Sequence, residues 1–138
     1  MKKSNRRKFI GAAAALCAGT AVSAMPFGPA GQSGKLPLVH HVFFWLKNPD
    51  SAADRDKLVE GVRTLAKIET VHELRVGILA STEKRPVVDT SWQVSELIFF
   101  RDLEAQSSYQ SHPIHLEFIK NYGHLWEKVV VYDAMDAA

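Results

Sequence analysis

The run Leu-Val-His-His-Val-Phe-Phe-Trp-Leu-Lys, residues 38 to 47, constrains this chain more than any other stretch. It is crowded with β-branched and aromatic residues, which reads as a strand. Successive side chains of a strand point to opposite faces. Val42 and Phe44 therefore share one face, Phe43 and Trp45 share the other, and both faces are apolar. Such a strand cannot leave either face to water. Helices from the same chain cover one side, and a second subunit is the expected cover for the other.

The rest of the pattern supplies those helices. Asn48-Pro49-Asp50 breaks the strand. Ser51 followed by Asp54 resembles a helix N-cap with an acid in the first turn. Leu58, Val59, Val62, Leu65 and Ala66 then recur at helical spacing to about Ile68. A second strand is expected over residues 71–79, with Leu74, Val76 and Ile78 on one face. Ser81 to Thr90 reads as a polar surface loop, and residues 92–100 as a third strand. A helical region opens at Asp102. Pro113 suits the first turn of the next helix, whose apolar side would carry Leu116, Ile119 and Leu125. Val129 to Tyr132 closes the chain as a last strand. The order β-α-β-β-α-β is the ferredoxin-like α+β arrangement, with helices on one sheet face. Pairing of two such sheets through their bare faces would give a dimeric α/β barrel.

The N-terminus carries a different signal. Ser4-Asn5-Arg6-Arg7-Lys8-Phe9-Ile10 resembles a twin-arginine export signal, and an uncharged, Ala-rich stretch follows to Ala24. That stretch is too short and too weakly apolar to span a bilayer, so no stable membrane insertion is expected. Val22-Ser23-Ala24 offers a cleavage site after Ala24, which makes residues 1–24 the signal peptide. The twin-arginine translocon is then a partner during export, and the periplasm or the exterior is the destination. Residues 25–37 hold Pro26, Gly28, Pro29, Gly31, Gly34 and Pro37 and read as a flexible tether. The folded domain is expected over residues 38–134.

Removing the leader changes the charge. Five of the seventeen Lys and Arg residues precede Met25 and all fifteen acids follow it, so the mature chain has a net charge of −3. A mildly acidic domain argues against nucleic acid as the partner. Cys17, the only cysteine, leaves with the leader. The mature domain would then be held by its core alone, without a disulfide.

The six histidines are His40, His41, His72, His112, His115 and His124. His40 and His41 are adjacent on a strand, so only one of them enters any given cavity. The segment Tyr109-Gln-Ser-His112-Pro113-Ile-His115 is more pointed. Its two histidines are three apart, but no acidic or thiolate partners stand at a recognisable zinc spacing, and no metal is expected. His112 reads as a helix-start residue beside Pro113.

Three segments together resemble the stress-responsive A/B barrel (Dabb) domain. They are Val39-His40-His41-Val42-Phe43, the run from Phe100 through Tyr109 and His112-Pro113 to His115, and the run from Trp126 to Asp133. The resemblance covers residues 38 to 134 and implies a dimeric α+β barrel. Plant polyketide cyclases of this family use a tyrosine and a histidine whose places match Tyr109 and His115, and their early strand histidine matches His41. A further strand histidine of those cyclases falls at Val94 here, a departure from the cyclase pattern.

Two functional classes follow, and neither calls for a cofactor. The first is an exported homodimer, with a stress association implied by the resemblance, that binds a small apolar molecule between sheet and helices, with Phe43, Trp45, Trp92 and Phe118 lining the pocket. The second is a small enzyme, either a cyclase-like lyase or resembling the antibiotic monooxygenases. In it His115 takes a proton from carbon beside a carbonyl, Tyr109 donates to the enolate oxygen, and His41 lines the pocket from the sheet.

Overall fold

The computed structural model describes residues 38–137. The expected signal peptide, its cleavage after Ala24 and the whole of the expected tether lie outside those residues.

The elements are β1 (Leu38–Leu46), α1 (Ala52–Thr64), β2 (Glu73–Ile78), β3 (Val94–Phe100), α2 (Leu103–Gln110), α3 (Pro113–Tyr122) and β4 (Trp126–Ala134). The strands form one antiparallel sheet in the order β2-β3-β1-β4. This is the ferredoxin-like α+β fold. β1 is parallel to β2 and β3 to β4, so each pair is joined by a crossover. Right-handed crossovers place the helices of both on one face of the sheet.

Local chemistry sets the helix starts. Ser51 caps α1 by accepting from the Asp54 N–H at 3.2 Å, and Asp54 adds an acid to the first turn. Asp102 caps α2 in the same way, accepting from the Ala105 N–H at 2.8 Å. His112 caps α3, its Nδ1 accepting from the Ile114 N–H at 3.1 Å, and Pro113 occupies the first helical turn. The second helical region is thus two helices with a break at Ser111-His112.

Burial along β1 alternates strictly. Leu38, His40, Val42, Phe44 and Leu46 are buried, and the residues between them only partly. The even residues face Leu58, Val62 and Leu65 of the α1 region, Phe118 of α3, and Leu125 in the turn before β4. α1 and α3 approach closely at Gly61, where a Cβ would stand 2.6 Å from the Tyr122 ring. Leu116 and Ile119 are about half exposed, and the buried residue of α3 is Phe118 instead. β2 is shorter than expected, and Ile78 at its end is more than half exposed.

Candidate functional site

Both β1 histidines are fixed by strand parity. His40 is on the helix-covered face and 3% exposed, whereas His41 is on the other face, its ring 4.2 Å from Phe43. Directly across from His40 on β4 stands Asp133, and His40 Nδ1 lies 2.6 Å from its carboxylate oxygen. A carboxylate accepts, so Nδ1 carries the proton donated in this bond.

On β3 the helix-facing residues are Val94, Glu96, Ile98 and Phe100, three apolar residues and one acid. Glu96 pairs with Val42 of β1 on one side and with Val76 of β2 on the other. Its side chain is 1% exposed. The Tyr109 phenol, itself 1% exposed at the end of α2, donates to Glu96 Oε1 at 2.8 Å. Burial pushes the Glu96 carboxyl up to about 7, against the opposing pull of that hydrogen bond. Burial and the adjacent carboxylate push the Tyr109 phenol upward as well.

His115, in the first turn of α3, brings its ring to 4.5 Å from that of Tyr109. Its Nδ1 lies 3.0 Å from the Gln110 carbonyl oxygen. A carbonyl only accepts, so Nδ1 bears the hydrogen. Burial holds the His115 pKa below its ordinary value, partly offset by this bond and lowered further by His40. The imidazole is therefore neutral at pH 7, with Nε2 carrying the lone pair.

These groups share one cavity of about 230 Å³ between the sheet and α2–α3. His40, Glu96, Tyr109 and His115 supply its polar wall, and exposed Gln110 adds a polar group; Val42, Phe44, Phe118 and Trp126 supply apolar surface. Ile119, Val129 and Val131 also line it and are each over two-fifths exposed, which puts its mouth between α3 and β4. Among the described residues no three His, Cys, Asp or Glu side chains gather as metal ligands. His112 stays outside the cavity, its Nε2 3.3 Å from Glu69.

The structure therefore brings Tyr109, His115 and Phe118 together and separates them from four other expected residues. His41, Phe43, Trp45 and Trp92 belong to the opposite sheet face. There Phe43 packs 5.0 Å from Trp92, and the Trp45 indole donates to Ser91. The cavity histidine is His40, one residue earlier, because even positions of β1 face the helices. Glu96 and Asp133 were not anticipated. Glu96 had a signal in the sequence, a lone charge on the strand face otherwise formed by Val94, Ile98 and Phe100. Asp133 had none, since its role depends on register against β1.

Residues 38–136 match the family model described as Stress responsive A/B Barrel Domain, over the whole of this fold. The chain belongs to that family. Among solved structures, a Dabb family protein with a ferredoxin-like fold from Mesorhizobium loti is similar at 22% identity and a TM-score of 0.62. The match covers 75% of this chain and 100% of that one. A hydroxynitrile lyase from Passiflora edulis is similar at 20% identity and a TM-score of 0.62, over 75% of this chain and 95% of that one. A dimeric protein of unknown function and ferredoxin-like fold from Bacteroides fragilis aligns at 19% identity with a TM-score of 0.55, over 72% and 95%. No curated protein matches the chain in sequence.

Proposed function

We propose that this Dabb-domain protein is an exported homodimer that binds a small, largely apolar molecule in the cavity between its sheet and helices. The observation that carries this reading is the cavity itself, with aromatic and aliphatic surface on one side and a hydrogen-bonded polar cluster on the other. Its size sets the class of ligand. A cavity of about 150 Å³ holds a benzene ring, so 230 Å³ suits one ring with a short polar arm. Export is supported by the leader Arg6-Arg7 and the Ala-rich stretch after it. Dimerisation is supported by the apolar second sheet face and by the description of a fold relative as dimeric. A stress-linked role is supported only by the family's description. Native mass spectrometry of the protein recovered from the periplasm tests the core of the reading. A dimer carrying a small added mass is expected; a monomer, or a dimer that takes up no small apolar compound, would overturn it.

A second reading, catalysis by proton transfer, is favoured by one specific observation: Tyr109, His115 and Glu96 meet at the same wall. His115 is neutral at pH 7 with a free Nε2, the state a general base needs to take a proton from carbon beside a carbonyl. Tyr109 already donates to Glu96. It turns its O–H to an enolate oxygen only when Glu96 is protonated and donates in its place, and a carboxyl near 7 reaches that state at neutral pH. His115→Ala separates the two readings. Loss of turnover with binding retained indicates an enzyme, and weakened binding alone indicates a binding domain.

A further inference from the structure

Among the described residues, Glu96 is a buried carboxyl with no cation to balance it. Its lateral neighbours on the sheet are Val42 and Val76, and Val94 and Ile98 lie before and after it on the same strand face. Among the described residues no Lys or Arg bridges to it, and its one hydrogen bond comes from Tyr109. Burying an unpaired carboxyl is costly in either form unless something completes it.

The polar wall around Glu96 is short of free donors. The Tyr109 O–H goes to Glu96, the His115 Nδ1–H to the Gln110 carbonyl, and the His40 Nδ1–H to Asp133. What Glu96, Tyr109 and His115 leave for a ligand is a carboxylate and the His115 Nε2 lone pair. Aromatic rings at Phe118 and Trp126 complete the lining, and the faces of such rings attract cations. Gln110 also lines the cavity but is exposed, so beside the ionised Glu96 a neutral carbonyl would find no buried donor, and an anion would meet Glu96 directly. An ammonium group supplies several N–H donors and the missing positive charge.

We propose that the cavity takes a small amine with a single ring or branched alkyl body, bound as its ammonium with Glu96 as counter-ion. This rests on the reading of the cavity as a ligand site and names the chemistry of that ligand. The groups facing Glu96 and its ligand are Tyr109 on α2, His115 on α3 and His40 on β1, with Asp133 on β4 behind His40. Because the Glu96 carboxyl is near 7 when the site is empty, capture of an ammonium releases its proton.

Benzylamine, benzyl alcohol and benzoate serve as probes of matched size, titrated calorimetrically into the purified protein at pH 7 in buffers of different ionisation enthalpy. Benzylamine is expected to bind at least about tenfold more tightly than benzyl alcohol, as a charge-assisted pair does over a neutral one. It should also release about half a proton, the protonated fraction of a carboxyl titrating at that pH. Glu96→Gln should abolish the preference. The proton count needs only the wild-type protein, so the test stands even where the variant does not fold. Benzyl alcohol binding as well as benzylamine, with no proton released, would overturn the amine assignment and leave the cavity reading intact. Failure of all three probes to bind would overturn both.

Discussion

At the scale of single residues, Glu96 links folding to pH. Its pKa rises from an ordinary carboxylate value to about 7 on folding, so the native state holds the proton more tightly than the unfolded chain. Stability from this group is complete below the unfolded pKa and is lost as pH rises toward 7, by on the order of 3 kcal/mol in all. His41 and His115 run the other way. Their folded pKa values are lowered, so they weaken the fold as pH falls below their ordinary value. Glu96→Gln keeps an oxygen for the Tyr109 O–H but cannot ionise. Relative to wild type, the variant should gain stability progressively from pH 5 to pH 8. Urea denaturation at several pH values checks this, and parallel curves for the two proteins would contradict it. The His40/His41 pair carries a different lesson at this scale. Adjacency dictates that they diverge, but nothing local says which one turns inward.

At the scale of elements, α2 is the exposed point of the design. It has eight residues and carries Tyr109 near its C-terminal end. So short a helix is marginal without its cap and its tertiary contacts. Asp102 accepts from the Ala105 N–H at 2.8 Å, so Asp102→Ala should remove about 1 kcal/mol of stability. For a domain of this size that is a fall in Tm of about 4–8 °C. Calorimetric melting measures it, and an unchanged Tm would show that packing of Tyr109 alone holds the helix. Most element boundaries were legible because caps and breakers mark them: Ser51, Asp102 and Pro113 all stand where their chemistry requires. The apolar side of α3 differs from the one its periodicity predicts. Leu116 and Ile119 suggested a stripe, but Phe118 faces the core and Ile119 faces the cavity mouth.

At the scale of the whole molecule, the sheet face away from the helices is lined with aromatic residues. His41, Phe43 and Trp92 form an aromatic cluster there, joined by Tyr132 at 6.0 Å from Phe43. Trp45 extends the face, with the Lys128 ammonium 4.3 Å over its ring. Tyr132 is 62% exposed in a single chain, so changing it spares the subunit core. If this face joins two copies, Tyr132→Glu places a charge in the interface. The dimer dissociation constant should rise by at least about thirtyfold, the loss of one aromatic anchor worth about 2 kcal/mol. Sedimentation or light scattering across a dilution series measures this, and an unshifted monomer–dimer balance would exclude this face as the interface.

The sequence by itself determined the element order, the helix starts and the two-faced apolar character of β1. Each of these is written in local periodicity or in residues with strong backbone preferences. The pairing of Tyr109 with His115 was legible too, as a spacing across a helix break. Only the tertiary structure decided which parity of β1 faces the helices, since that depends on where the crossovers place α1, α2 and α3. It thereby chose His40 over His41 and moved Phe43, Trp45 and Trp92 off the cavity. It also joined Asp133 to His40 and Glu96 to Tyr109, contacts between residues 93 and 13 positions apart. No local pattern encodes such contacts, because strand register and helix placement are properties of the packed sheet.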